Sequence, residues 1–338
     1  MNRHTDGEYI LDLCRGYWAA RTLFWGVEKG VFTLLEQGER GAREIAGILR
    51  TEPGATERVL NALVALGLLT KNSNSFRNSY VSDMHLVRGR RLYLGNTVLH
   101  ARNLWDGWSR LGEAVQSGVG VAFDTVEKSP YEDRLRDFLL AMRDNAGLVA
   151  EGVVDALRWG NIEKMLDLGG GPGTFAEALL RRYPALQVTL YDLEPSVSLA
   201  KEILRGSAVL ERIEFQAGNF ITDDLGVGRY DAVLLANVVH MYDVSTNLML
   251  AKKSHRVLKP GGQLAIYDYF LEEDFPAPEA ALFDLNMLVG TVNGKNYPAQ
   301  AMVAWLAEAG FSVIRQVKLT PYCGLVVGCK PEQGAEDF

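Results

Sequence analysis

The ten residues from Lys164 to Gly173, KMLDLGGGPG, constrain this chain more than any other stretch. Met165, Leu166 and Leu168 around a single Asp167 predict a buried strand. The glycine-dense turn after it leads into Thr174–Leu180, which predicts a helix. Strand, glycine turn and helix open a nucleotide-type βαβ unit. The glycines tolerate positive φ and let a ligand lie against bare backbone.

Charge decides what such a turn can hold. A dinucleotide would place its pyrophosphate on the backbone N–H groups and the helix N-terminus. Here Asp167 stands two residues before the first glycine and Pro172 removes one donor from the loop. Both favour a ligand that is cationic at this point. S-adenosylmethionine, with a sulfonium and an amino acid end and no phosphate, fits. A nicotinamide oxidoreductase would share the βαβ unit, but Asp167, Pro172 and the later segment Leu258-Lys259-Pro260-Gly261-Gly262 disfavour it.

The chain then repeats the pattern of buried strand and polar end. Val188–Leu193 places Asp192 nineteen residues after Gly173, near the spacing of about 20 expected for a carboxylate on ribose hydroxyls; capping the next helix is the alternative. Ile213–Ala217 is followed by Gly218-Asn219-Phe220, an amide and an aromatic suited to adenine. Tyr230–Ala236 ends in Asn237-Val238-Val239-His240-Met241-Tyr242-Asp243. Gln263–Asp268 predicts a fifth strand, and Ser312–Val317 and Tyr322–Cys329 predict late ones.

In that order, D-x-G-G-G-x-G, Y-D-L, G-N-F, Y-D-A-V-L-L-A-N and L-K-P-G-G resemble the class I S-adenosylmethionine-dependent methyltransferases. More narrowly, the chain is similar to the small-molecule O-methyltransferases that carry an N-terminal dimerisation domain, from about residue 10 to residue 330. The resemblance implies an α/β fold: a Rossmann-like seven-stranded sheet, last strand antiparallel, with a mostly α-helical winged-helix N-terminal domain. It implies a dimerisation domain at 10–90, a helical connector and substrate wall at 91–160, and a catalytic domain at 161–331. Cofactor contacts fall on Asp167, Gly169, Gly171, Asp192, Leu193, Asn219, Phe220 and Asn237. His240 is the expected catalytic base, and Met142, Phe283, Met287 and Asn296 complete the acceptor pocket, with no metal. Methyl transfer from a sulfonium needs orientation and a base for the acceptor hydroxyl, and histidine titrates near working pH. A structural histidine is the alternative. The remaining histidines are weaker candidates; His255 shares what reads as a solvated helix face with Lys252, Lys253 and Arg256.

The pattern also departs from the family. His240-Met241-Tyr242 stands where H-D-W is usual, Ala236 replaces a frequent lysine, Asn219 replaces an adenine-contacting acid, and Asn296 falls where a histidine-orienting glutamate is expected. An amide can hold an imidazole but cannot offset imidazolium charge. A carbon or nitrogen acceptor, or a relative that binds S-adenosylmethionine without methylating, therefore stays open.

The first third has another texture. Tyr17–Leu35 is apolar at helical spacing. Glu44–Leu49 and Glu57–Leu66, the latter N-capped by Thr56, precede a hairpin turning at Asn72-Ser73-Asn74. Three helices and a hairpin make a winged helix. Its helix in the recognition position carries Val59, Leu60, Leu63 and Val64, with Arg58 its only basic residue. A reader of DNA needs Arg, Lys, Asn or Gln facing bases and phosphates. That disfavours a ligand-sensing regulator, and the net charge of −7 argues against a generic nucleic-acid partner. In the resembled family this domain forms a homodimer; Trp18, Phe24 and Trp25 supply apolar surface for it, with a monomer core as the alternative. Leu92–Ala114 and Tyr131–Leu157 predict two connector helices. No apolar run reaches the roughly 18 residues of a membrane span, the N-terminus is polar, and Cys14, Cys323 and Cys329 form no C-x-x-C pair. A cytoplasmic enzyme acting on a small molecule, with neither membrane nor nucleic-acid partners, is expected.

Overall fold

The computed structural model describes residues 6–121, 131–160, 162–272, 274 and 276–332. Contacts divide the chain into two units, Met1–Asn103 and Leu104–Phe338.

The first unit runs α1 (Asp6–Glu28), α2 (Val31–Leu35), β1 (Arg40–Gly41), α3 (Ala42–Leu49), α4 (Pro53–Ala65), β2 (Leu69–Asn72), β3 (Ser75–Asn78), α5 (Tyr80–His85) and α6 (Gly95–Asn103). The apolar run Tyr17–Leu35 is two helices, because Gly30 adopts φ 71° and ends the first. Thr56 is not the cap expected of it. The chain enters α4 one turn earlier, where Glu52 accepts from Gly54 N at 2.8 Å and Ala55 N at 2.5 Å and Pro53 fills the first position. Thr56 is buried inside that turn, its hydroxyl on Glu52 O. The hairpin turns at Ser73-Asn74 as expected, and the short β1 adds a third antiparallel strand, in order β1-β3-β2. Phe32, Ile45, Leu60, Leu63, Leu69 and Phe76 form a closed core. Of the three residues expected to be surplus apolar surface, Phe24 is buried and Trp25 packs on that core, whereas Trp18 is exposed. The exposed apolar residues of α1 are Tyr9, Ile10, Leu11, Leu13, Tyr17 and Trp18, upstream of the part of the helix that the core covers.

The second unit begins with α7 (Trp105–Ser109), α8 (Leu111–Ser117) and α9 (Tyr131–Leu157). The expected helix Leu92–Ala114 is therefore broken into α6, α7 and α8, with non-helical geometry at Arg110, whereas α9 has the expected bounds. Then come β4 (Lys164–Leu168), α10 (Thr174–Arg182), β5 (Gln187–Asp192), α11 (Glu194–Ile203), β6 (Ile213–Ala217), β7 (Tyr230–Ala236), α12 (Val244–Val257), β8 (Leu258–Tyr269), α13 (Pro278–Gly290), α14 (Ala299–Glu308), β9 (Ser312–Lys318) and β10 (Cys323–Cys329). They form one seven-stranded sheet in order β6-β5-β4-β7-β8-β10-β9. Strands β4 to β8 pair parallel, and β10 runs antiparallel to both β8 and β9.

Period-two alternation sorts β4 between two cores. Met165 joins the layer of α9, α10 and α11, while Leu166 and Leu168 join the layer of α12 and α14. Each such side chain contributes about 1.5–3 kcal/mol by leaving water. Asp167 lies between Leu166 and Leu168, on Met165's side. From β4 the chain winds outward through β5 and β6, then returns to add β7 and β8 on the other side. The reversal between β4 and β7 is where open α/β sheets bind ligands, at the C-terminal ends of the strands.

Candidate active site

The glycine turn after β4 is held by the neighbouring strand. Gly169 N donates to Tyr191 O at 2.8 Å, and Gly171 N donates to Asp192 Oδ2 at 2.8 Å. Gly169 has φ 79°, and a Cβ there would stand 2.9 Å from Val238 Cγ2 and 3.4 Å from Phe220. A side chain at this position is both strained and obstructed. Asp192, at the end of β5, also accepts from Leu193 N at 2.7 Å. Two backbone donors leave a carboxylate lone pairs to spare for a vicinal diol. Burial raises the Asp192 carboxyl while these bonds oppose the rise.

Asp167 is wholly buried, and its Oδ2 has no hydrogen-bond partner. Burial first, and the charge of Asp192 second, push its carboxyl up to about 7. An uncompensated carboxylate is costly in such surroundings, and a cation beside it would remove the cost. Asn237 has φ 57° and a second buried, unpartnered oxygen, Oδ1. Phe220 closes the other side, edge-on to Tyr242 at 5.9 Å. Asn219 is exposed and commits Oδ1 to Ile221 N at 3.0 Å. Two orphaned oxygens, a diol-binding acid, a bare glycine turn and an aromatic wall fit S-adenosylmethionine: an ammonium for Asp167, a ribose for Asp192 and an adenine beside Phe220. Tyr242 was not among the expected contacts; burial and the charge of Asp192 raise its hydroxyl.

Beyond β7 the left-handed Asn237 turns the chain into a short 3₁₀ segment, Val239–Met241, which brings His240 back over the end of β8. Asn247 Nδ2 holds Val239 O at 2.9 Å and Tyr242 O at 3.1 Å, and Tyr297 Oη donates to Tyr242 O at 2.7 Å. His240 Nδ1 lies 2.7 Å from Asp268 Oδ1. Asp268 is fully buried, and also accepts from His240 N at 3.3 Å and Tyr269 N at 2.8 Å. Because the carboxylate accepts, the hydrogen-bond pattern assigns the proton to Nδ1 and leaves Nε2 as the basic nitrogen.

This corrects the expectation for Asn296. Its Nδ2 donates to Ala280 O at 2.9 Å, its backbone N donates to Asp284, and its Oδ1 is buried without a partner. The histidine partner is an acid on β8, so charge is available to offset an imidazolium. Asp268 was overlooked because it reads as the last residue of a buried strand. The signal was present: like Asp167 and Asp192, it is an acid at the C-terminal end of a parallel strand.

Phe283 stands edge-on to His240 at 5.1 Å and stacks on Tyr269 at 4.0 Å, and Tyr322 continues the stack at 5.8 Å from Tyr269. Met287 is buried one turn along α13 from Phe283. Met142 is half-buried on α9, three residues after Leu139, whose Cδ2 would lie 3.6 Å from a Cβ on Gly171. His255 is not on a solvated face: it is half-buried, edge-on to Phe311 at 5.0 Å, and only Lys252 and Arg256 beside it are exposed.

The sheet order, its single reversed strand and this arrangement of acid, glycine turn and ribose carboxylate define the class of S-adenosylmethionine-dependent methyltransferases. Residues 93–312 match the family model of an O-methyltransferase domain, and residues 11–88 match an O-methyltransferase dimerisation domain. The chain is 31% identical over 328 residues to the tetracenomycin polyketide synthesis 8-O-methyl transferase of Streptomyces glaucescens, spanning 95% of this chain and 96% of that one. It is 32% identical over 328 residues to the 3-hydroxy-5-methyl-1-naphthoate 3-O-methyltransferase of Streptomyces sahachiroi, spanning 95% and 94%. The structure of human N-acetylserotonin methyltransferase in complex with SAM superposes with a TM-score of 0.88 at 25% identity, covering 98% of this chain and 99% of that one. The chain belongs to the O-methyltransferase family. It is an enzyme that uses S-adenosylmethionine to methylate a small molecule, and it carries the family's dimerisation domain.

Proposed function

We propose that this enzyme methylates a hydroxyl group on a flat, fused aromatic acceptor, with His240 as the general base. The observation that carries this reading is the 2.7 Å bond between His240 Nδ1 and Asp268 Oδ1 at the C-terminal edge of the sheet. Asp268 fixes the imidazole orientation and tautomer, so that Nε2 takes the acceptor proton, and it then offsets the imidazolium charge. Asp167, Gly169, Gly171, Asp192, Leu193, Asn219, Phe220 and Asn237 would hold S-adenosylmethionine, which when bound would supply the methyl group from its sulfonium and leave as S-adenosylhomocysteine. Stacking on the aromatic column of Phe283, Tyr269 and Tyr322 suits a planar substrate. Two relatives, one an 8-O-methyl transferase of tetracenomycin polyketide synthesis and the other a 3-O-methyltransferase of a hydroxynaphthoate, agree with that shape. Met142 and Met287 supply adaptable apolar wall, and Asn296 Oδ1 offers a hydrogen-bond acceptor.

The division proposed is residues 10–90 for dimerisation, 91–160 for connection and substrate wall, and 161–331 for catalysis. The exposed apolar row on α1 supports a homodimer through the first unit. The net charge of −7 and Arg58 as the only basic residue of α4 speak against a nucleic-acid partner. Among the described residues no helix is long and apolar enough to cross a membrane, and three free cysteines suit the cytoplasm.

The test is transfer of labelled methyl from S-adenosylmethionine to a panel of naphthols, hydroxynaphthoates and hydroxyanthraquinones, with the matching arylamines beside them. Methyl ethers are expected. A product methylated on nitrogen or carbon would contradict the reading.

A further inference from the structure

Residues 219–223 make a single helical turn between β6 and β7: Asp223 N donates to Asn219 O at 2.8 Å, and the chain does not extend it into a helix. A lone turn leaves its carbonyls without intrahelical donors. Here one side chain satisfies three of them. Lys253 Nζ, from the middle of α12, donates to Phe220 O at 2.9 Å, Ile221 O at 2.7 Å and Asp223 O at 2.9 Å. An ammonium has three donors, so the match is complete. The other end of the turn is tied to the sheet, where Asp223 Oδ2 accepts from Tyr191 Oη at 2.6 Å and Asn219 N at 2.8 Å. Tyr191 directly precedes Asp192.

Phe220 is the side chain that this turn delivers, 3.4 Å from where a Gly169 Cβ would stand and edge-on to Tyr242. Helix α12 is itself a firm base: Leu250, Ala251, Ser254 and Val257 are buried against the sheet, and its N-cap Asp243 lies three residues after His240. Lys253 thus links the helix that succeeds the histidine turn to the turn that walls the glycine loop.

We infer that Lys253 is a positioning residue for the cofactor, fixing the Phe220 wall through the carbonyls of residues 220, 221 and 223. This rests on the proposed placement of the cofactor between Asp192 and Phe220. Lys253 itself touches neither substrate nor cofactor; its contribution is to keep the wall ordered before binding, so that ordering does not reduce affinity.

The test is calorimetric titration of S-adenosylhomocysteine into the full chain, comparing wild type with Lys253→Met, Lys253→Arg, Phe220→Ala and Asp192→Ala. Lys253→Met is expected to weaken binding about tenfold, and Lys253→Arg to recover most of that loss, since a guanidinium can also donate to carbonyls. A lysine that served the fold alone would lower the melting temperature of Lys253→Met and leave the affinity of the folded protein unchanged; that result would overturn the inference. Should Lys253→Met not fold, wild-type affinity in Phe220→Ala would overturn it equally. Asp192→Ala separates the two levels: weakened binding there with wild-type binding in Lys253→Met removes only Lys253, whereas wild-type binding in both removes the cofactor placement.

Discussion

His240 Nδ1 and Asp268 Oδ1 stand 2.7 Å apart although 28 residues separate them in the chain. The register of two parallel strands brings them together. Ala236 on β7 pairs with Tyr267 on β8, so both strands end at the same edge of the sheet. The left-handed Asn237 then folds the β7 end back across the β8 end.

If Asp268 sets the tautomer of His240, Asp268→Asn should lower turnover by roughly 10²-fold or more, within the range for loss of general-base function. Affinity for S-adenosylhomocysteine should stay near wild type. Steady-state rates and calorimetry check this. Full turnover in Asp268→Asn would assign the carboxylate to packing alone.

Asp167 yields a pH prediction. Its carboxyl is pushed up to about 7 by burial and by Asp192, whereas an unfolded aspartate titrates at about 3.9. Between those values the folded protein keeps a proton that the unfolded chain has lost. The stability from this group is therefore full below the unfolded value and is lost as pH rises through the folded one. Asp167→Asn removes that loss. The melting temperature of the variant minus that of wild type should increase between about pH 5 and about pH 8 in ligand-free protein. A difference that stayed constant over that interval would show that the carboxyl is not raised.

The apolar row on α1 has Trp18 at 56% exposure and Leu13 at 62%. A concentration of exposed large apolar residues marks an interface. Sedimentation at micromolar concentration should give twice the chain mass for wild type and the single chain mass for Trp18→Glu combined with Leu13→Glu. A wild-type monomer would refute the proposed homodimer.

The catalytic sheet was legible because its signals are local. Strands β4, β5 and β7 are short, largely apolar runs that end in, or lead into, a polar residue or glycine, and Asp167, Asp192 and the glycine turn carry their chemistry within one such unit. The features that escaped a sequence reading depend on neighbours far along the chain. The partner of His240 is set by strand register, so a family position suggested Asn296 where the geometry supplies Asp268. Lys252, Lys253, His255 and Arg256 read alike as a solvated helix face, yet Lys253 donates to three carbonyls and His255 packs on Phe311. Thr56 has the chemistry of a cap, but Pro53 starts the helix earlier and Glu52 takes the role. Phe24, Trp25 and Trp18 look equivalent in sequence; only the folded unit shows that its core claims the first two.

Removal of the acceptor proton by His240 during methyl transfer is the step on which the proposed chemistry turns. It is measured by single-turnover transfer of labelled methyl to an aromatic hydroxyl, compared between wild type and His240→Gln at saturating S-adenosylmethionine. The expected result is a fall of roughly 10²–10⁴-fold in the rate of transfer, with S-adenosylhomocysteine affinity unchanged. Wild-type transfer by His240→Gln, on an acceptor whose hydroxyl is protonated at the pH of the assay, would contradict it.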